Sequence, residues 1–385
     1  MDHLLTDEQK MVRDLARRVS EEKVKPVRAE LDEKEQFPWE PIKHFADADL
    51  CGLYIPQEYG GFGGGCMEFC LAVEEISRIC GGVGVTFAGS ALGSYPILLS
   101  GNDEQKKKYL PDIASGKKLA AFGLTEPNAG SDAGGMETTA KKEGHHYILN
   151  GTKCFITNGG EAEIYVVFAM TNKAKGSRGA SAFIVEKGTS GFSFGKKEKK
   201  LGIRCSATRE LVFQDCKVPA ENLLGREGLG FVVAMNTLDK TRPGIAAQAV
   251  GIAQGALDES LSYAKERIQF GKPISTLQAV QHMLANMAIK VEAARSLTYA
   301  VARAIDAGVG SSKESAISKV FASDIAMEVC VDAVQVLGGY GYMREYPVEK
   351  MMRDAKITQI YEGTNQIQRN VIALELIKES VARKK

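Results

Sequence analysis

Residues 354–369, DAKITQIYEGTNQIQR, decide how the C-terminal part of the chain is read. Both ends of the stretch have helical patterns, and the Y-E-G-T-N between them has turn chemistry, with Thr364 or Asn365 placed to cap a last helix from about Gln366. Across residues 355–369 the only carboxylate is Glu362, set beside Tyr361 and between Ile360 and Ile367. An acid in such surroundings is poorly solvated, so its pKa rises and it becomes a stronger base. Glu362 is either a general base or part of a helix cap, and the rest of the chain must decide between them.

Upstream of that stretch the helices are long. Leu277, Val280, Leu284, Met287, Val291, Ala294 and Val301 keep a near-heptad spacing, which buries a narrow stripe as in a four-helix bundle. Ala246, Ala249, Ala253 and Ala256 form a small face that lets a neighbouring helix come close. Further upstream, past Lys118, the texture changes to short apolar runs: LAAFGLT, HHYIL, TKCFIT, EIYVVFAMT, SAFIVEKG, GFSFG and ELVFQDCKVP. Asn150-Gly151 reads as a type I′ hairpin turn joining HHYIL to TKCFIT. This all-β insert has the size of a small barrel or sandwich. Before it, Thr6-Asp7-Glu8-Gln9 fits a capping box opening a charged helix, and Pro38 precedes a second. QEYGGFGGG, residues 57–65, reads as a connector, since it lacks both GKS/T and GxGxxG, and helices follow at 67–80, 83–99 and 103–113. The fold class is α+β: an N-terminal helical domain (1–117), a central β-barrel or sandwich domain (118–226) and a C-terminal four-helix bundle (227–385).

Composition narrows the function. Of 385 residues 44% are hydrophobic and 25% charged, and the net charge is +1, with Lys and Arg interleaved among Asp and Glu. A nucleic-acid partner needs clustered positive charge, so none is expected. Eight cysteines show no CxxC pairing, although Cys66 and Cys70 share a helical face, and five histidines form no ligand cluster, with His145 and His146 on opposite faces of a strand. This points to a reducing compartment and to no metal. No apolar run approaches the about 18 to 20 residues of a membrane span. The N-terminus, MDHLLTDEQKM, has no leader pattern, so the expected location is the cytoplasm, or the mitochondrial matrix if a leader has already been removed.

Four further stretches accompany the Glu362 turn: TEPNAGSD (125–132), KCFITNGG (153–160), ERIQFGKP (266–273) and AVQVLGGYG (333–341). Phe155 and Thr157 alternate on one strand face, Gly271 and Pro273 stop a helix, and a glycine pair ends another. In this order and over essentially the whole chain, these motifs resemble the acyl-CoA dehydrogenase family, flavoenzymes that oxidise an acyl-CoA to its trans-2-enoyl form. GNDEQKKKYL (101–110), RCSATR (204–209) and LDKTRPGIAA (238–247) are similar to the short- and medium-chain, straight-chain branch.

The resemblance implies FAD as cofactor and assigns residues to it. Phe122, Leu124, Thr125, Gly130 and Ser131 would line the isoalloxazine. Phe155, Ile156 and Thr157 would lie against the ring, Phe155 standing where many members carry Trp. Arg267, Gln269, Phe270, Leu277 and Gln278 would reach the pyrophosphate and adenosine from a second subunit. Gln335, Val336, Leu337, Gly338 and Gly339 would do the same, and Thr364 and Gln366 would complete the contacts. Ser131, Ser177, Leu238, Asp239, Arg242, Tyr361 and Gly363 match positions that contact the acyl-CoA. Of these, Ser177 lies in a loop of variable length.

By the same resemblance, Glu362 takes the thioester α-proton while the β-hydride passes to the flavin. The backbone N–H of Glu362 and a ribityl hydroxyl would stabilise the enolate oxygen, each such donor contributing roughly 3 to 4 kcal/mol. Some branches carry the base at the position of Thr241; a hydroxyl there argues against the isovaleryl and long-chain branches. FAGSALGSYPI (87–97) would line the acyl chain, its small residues leaving either a deep channel or a wide one, unless they serve only close packing. A linear short- or medium-chain substrate is expected, with electron transfer flavoprotein as acceptor and a homotetramer built as a dimer of dimers. The other readings are a branched or alicyclic substrate, an oxidase or a reversed enoyl-CoA reductase, a catalytically silent acyl-CoA-binding scaffold, and a nicotinamide dehydrogenase, which lacks its strand-GxGxxG-helix unit here.

Overall fold

A computed structural model describes residues 2–382. Helix α1 (Asp7–Val19) opens on the expected capping box, in which Thr6 and Gln9 each accept the other's backbone N–H at 3.2 Å. Helices α2 (Arg28–Glu33) and α3 (Trp39–Asp47) lead to the glycine-rich connector and then to α4 (Cys66–Ile79), α5 (Gly81–Ser100) and α6 (Asp103–Ala114). Most residues of α4 and α5 are buried, which makes them the centre of the N-terminal layer. α5 corrects the expectation that no run has the length of a membrane span: its 20 residues have the length and hydropathy of one. It is nevertheless a core helix, since 83% of that window is buried in the fold.

The central strands are β1 (Ala120–Gly123), β2 (Thr139–Glu143), β3 (His146–Thr157), β4 (Ile164–Met170), β5 (Ala180–Glu186), β6 (Phe192–Lys197), β7 (Thr208–Pro219) and β8 (Leu223–Leu224). They form one sheet in the order β6-β7-β3-β2-β4-β5-β8, with β1 also paired to β4. The sheet folds over on itself, because Tyr165 of β4 packs against Phe192 and Phe194 of β6 at ring distances of 5.0 and 5.6 Å. Asn150-Gly151 is not a hairpin: β3 runs straight through it. Opposite it β7 carries an extra residue, Asp215 lies at φ 49°, and the Asn150 amide bonds both the N–H and the carboxylate of Asp215 at 2.8 and 3.1 Å. The hairpin turn lies earlier, at Gly144-His145, so His145 is a turn residue rather than a strand residue.

The C-terminal layer is built on α7 (Gly230–Glu266), α8 (Gln278–Asp306) and α9 (Ser312–Leu337), joined by α10 (Val348–Thr358) and α11 (Asn365–Ala382). Leu284, Met287, Val291 and Ala294 of the near-heptad stripe are buried with the alanine face of α7 in one cluster, against which Leu277 and Val280 pack half-buried, while Val301 joins the larger core of the N-terminal layer and sheet. α7 ends at Glu266, five residues before Gly271; Ile268–Gln269 and Lys272–Pro273 pair as a small hairpin, β9–β10, around Phe270-Gly271. Both turn residues have positive φ, 53° and 74°, the pattern of a type I′ turn with an unusual Phe.

α4 and α7 pack at the limit of approach. A Cβ on Gly251 would lie 2.2 Å from the Glu74 carbonyl oxygen, and one on Gly255 2.1 Å from that of Arg78. Gly251→Ala must therefore push two backbones apart, and it should cost about 1–3 kcal/mol of stability. Chemical denaturation of the purified variant checks this.

Candidate active site

The Glu362 turn lies between α10 and α11. Glu362 and Gly363 both have positive φ, 50° and 92°, and the Thr364 hydroxyl caps α11 by accepting from Ile367 N–H at 3.3 Å. A glutamate in the left-handed region is strained, so neighbours must hold it. The Gln368 amide donates to the Glu362 carbonyl at 3.0 Å, and Arg242 Nε reaches the same oxygen at 3.4 Å. The Thr241 hydroxyl donates to the Glu362 carboxylate at 2.8 Å. Burial pushes the Glu362 carboxyl up to about 7, against the opposing pull of Thr241, Arg242 and Lys319. Tyr361 is anchored to Gln248 by its hydroxyl.

Glu362 stands in the wall of a cavity of about 490 Å³ whose lining comes from all three layers. Phe122, Leu124, Thr125, Gly130, Ser131, Phe155, Ile156 and Thr157 line its sheet side, joined by Ser177. Leu238, Arg242, Tyr361, Glu362 and Gly363 line its helical side. Phe155 and Thr157 do not share a face by simple alternation: a bulge between Lys153 and Ile156 puts Phe155 at φ 58°, with its ring 66% exposed. Asp239 is absent from the lining because Arg242 and Ser312 hold its carboxylate, at 2.6 and 2.8 Å.

Sequence reading missed several contributors. Phe231, Met235 and Ile245 line the cavity, and their only signal was an apolar residue on a helix; Ile367, read in the sequence beside Glu362, lines it with them. Lys153 and Glu126 form a fully buried pair at 2.7 Å, and Lys153 also donates to the Leu124 carbonyl at 3.1 Å. Glu126 accepts the N–H groups of Glu137 and Thr138 at 2.6 and 3.0 Å, so the pair ties the 124–138 loop to β3. Burial brings the Lys153 ammonium down to about 8. A lysine within the apolar run TKCFIT was the available sign.

The small residues of 87–97 divide. Val85, Ala88, Gly89 and Leu92 face the cavity. Gly93 seats α5 on the sheet, where a Cβ would lie 2.3 Å from Ala121 N, and Ser90 accepts the Ala120 N–H at 3.1 Å.

Arg267, Gln269, Phe270, Leu277, Val336, Leu337, Gly338 and Gly339 gather around a second cavity, of about 570 Å³, which shares no lining residue with the first. Its Arg267 guanidinium lies 5.2 Å from the Tyr340 ring centre, and Phe270 is 90% exposed. Gln278, Gln335, Thr364 and Gln366 line neither cavity. Among the described residues no group of three or more His, Cys, Asp or Glu side chains gathers as a metal site.

The first cavity suits a flavin. It offers an exposed aromatic face in Phe155, a hydroxyl in Thr157 beside it, and the Gly130-Ser131 loop, where a Cβ on Gly130 would meet nothing within 4 Å. Three family models match the chain: the acyl-CoA dehydrogenase N-terminal, middle and C-terminal domains, over residues 6–117, 121–216 and 228–377. The short-chain-specific acyl-CoA dehydrogenase of Clostridium acetobutylicum is 51% identical over 97% of this chain and 99% of its own. The structure of butyryl-CoA dehydrogenase from Megasphaera elsdenii superposes with a TM-score of 0.96 at 50% identity, covering 98% of this chain and 100% of that one. A chain in a structure of the electron transferring flavoprotein of Acidaminococcus fermentans matches with a TM-score of 0.96 and 52% identity, over 98% and 99% of the two chains. With all three domains matched in order and half of its residues shared with such relatives, the chain belongs to the acyl-CoA dehydrogenase family.

Proposed function

We propose that this chain is an FAD-dependent dehydrogenase of short-chain, linear acyl-CoA thioesters, with Glu362 as the base that removes the α-proton. The observation that carries the assignment is a carboxyl group raised to about 7 in a cavity wall, held by Thr241 and backed by Arg242 and Lys319. The Glu362 backbone N–H has no protein partner among the described residues, so it is free to donate to the thioester carbonyl as negative charge develops there. The bound flavin supplies the two-electron acceptor for the β-hydride. Val85, Ala88, Gly89 and Leu92 bound the space for the acyl chain. Phe155 and Thr157 would hold the flavin ring, and the 124–131 loop would hold its edge. A scaffold that has lost catalysis is disfavoured, because the base and its hydrogen-bond partner are both in place.

The second cavity would serve the dinucleotide end of a cofactor bound mainly by another copy. Its separation from the first supports that reading, as do the exposed apolar side chains around it: Ile268, Phe270, Tyr342 and Met343. A homotetramer and a cytoplasmic location follow from the same reading, the latter supported by eight free cysteines. Electron transfer flavoprotein is the electron acceptor this reading favours.

Anaerobic addition of butyryl- to dodecanoyl-CoA should bleach the flavin, most rapidly at the short end. Glu362→Gln should keep its yellow colour yet lose roughly a hundredfold to ten-thousandfold in turnover; near-normal activity would place the base elsewhere. Only the ionised carboxylate accepts a proton, so kcat/KM should fall about tenfold per pH unit below about 7. A flat profile down to pH 5 would refute the assignment. Arg267→Ala should lower both FAD retention and assembly size by exclusion chromatography; unchanged FAD affinity would exclude a site shared between copies.

A further inference from the structure

One buried ionisable group behind the base has entered so far only through its pull on the Glu362 carboxyl. Lys319 of α9 is fully buried, and its Nζ donates to the Gly363 carbonyl at 2.9 Å and to Asn365 Oδ1 at 2.8 Å. No carboxylate among the described residues forms an ion pair with it, although burying an unpaired ammonium costs several kcal/mol. An apolar side chain of similar length would fold there at less cost, so the charge itself needs an explanation.

The surroundings supply one. Arg242 is neutralised by Asp239, and Arg369 is paired with Asp324 at 2.7 Å. Asp324 also accepts from Asn365 at 2.7 Å, and the Tyr361 phenol, pushed up by burial, stays neutral. Those are the charged and titratable groups that face the turn from α7, α9, α11 and the turn itself; α10 adds Asp354, paired with Lys350 at 2.5 Å, the loop after β1 adds Asp132 in the cavity lining, and α5 presents only Val85, Ala88, Gly89 and Leu92. Burial brings the Lys319 ammonium down to about 7 and the Glu362 carboxylate opposes that fall, so the lysine carries its charge below about pH 7, over the acid limb of Glu362. Gly363 follows Glu362 in a turn with two successive positive φ values, and its carbonyl is held by Lys319 while Gln368 holds the carbonyl before it.

We propose that Lys319 is a positioning residue for the base: it clamps the Gly363 carbonyl, which fixes the Glu362–Gly363 turn, and it supplies the positive charge behind the Glu362 carboxylate. The proposal rests on Glu362 being the base. It has two separable parts, a hydrogen bond and a charge. Lys319→Gln retains an N–H donor without the charge, and Lys319→Met removes both.

The test compares wild-type holoenzyme with both variants, using butyryl-CoA and its α-dideuterated form across pH 5.5–9. Lys319→Met should lose about tenfold or more in kcat with KM nearly unchanged. Its acid limb should move up by about one pH unit, a tenfold change in proton affinity, and its α-deuterium isotope effect should rise as proton removal becomes slower. Lys319→Gln should show the same displaced limb, with kcat at high pH and the isotope effect close to wild type. A purely structural lysine would lower the active fraction and leave both the limb and the isotope effect where they were. A Lys319→Met protein that retains FAD and melts normally, with wild-type limb and isotope effect, overturns the proposal. Where Lys319→Met does not fold, an undisplaced limb in Lys319→Gln overturns it. Wild-type protein that no thioester reduces refutes the dehydrogenase reading and this proposal with it; active wild type with indistinguishable variants refutes this proposal alone.

Discussion

The hydrogen bond from Thr241 to the Glu362 carboxylate joins the two parts of the chain on which everything else depends. It links the middle of α7 to a turn that lies 121 residues later in sequence. A carboxylate in a cavity wall would be neutral and inert if it were only buried, and inert in another way if it were fully paired. Here one hydroxyl, one guanidinium already engaged by Asp239, and one lysine share the work, so the acid stays within reach of neutral pH. Three helices must keep register to within a hydrogen-bond length for that to hold. The long buried contact of α7 with α4 and α9 is what sets that register.

The same logic applies on the sheet side. The loop carrying Thr125, Gly130 and Ser131 has little secondary structure of its own, yet the buried Lys153–Glu126 pair secures it from beneath. A salt bridge of this kind adds little net stability, because desolvation consumes most of the Coulomb attraction. Its contribution is positional: it commits a loop to one conformation beside the cavity. The bulge at Phe155 belongs to the same construction, since it leaves that residue exposed at the cavity while Ile156 beside it stays buried.

Much of this was legible in the residues. Helix positions followed from capping boxes and heptad spacing, and the strands followed from short apolar runs, because both signals are local. The Glu362 turn and the cavity liners around 122–131 and 155–157 were found through motif order. Failures came where tertiary context overrides a local signal. Asn150-Gly151 has ideal turn chemistry, but β7 offers Asp215 to its amide and pairing continues. Phe270 hid a hairpin, because Phe rarely takes a positive φ. Lys153 and Lys319 could not be placed, since a buried lysine and an exposed one are the same letter until their partners are known. Asp239 was assigned to the acyl-CoA through the family resemblance; in the structure its carboxylate accepts from Ser312 and Arg242 and lies outside the cavity lining.

The seating of α5 limits how this enzyme can change its appetite. Gly93 lies so close to β1, and Gly89 to Thr157 at 2.7 Å for an added Cβ, that the helix cannot slide or tilt to deepen the acyl space without breaking the sheet beneath it. Chain length is thus decoupled from backbone geometry. Under the proposed function, new substrate ranges would arise by swapping side chains at Val85, Ala88 and Leu92 while Glu362, the 124–131 loop and Phe155 keep their places. A rigid floor with exchangeable tiles lets substrate preference drift over evolutionary time with the chemistry left untouched.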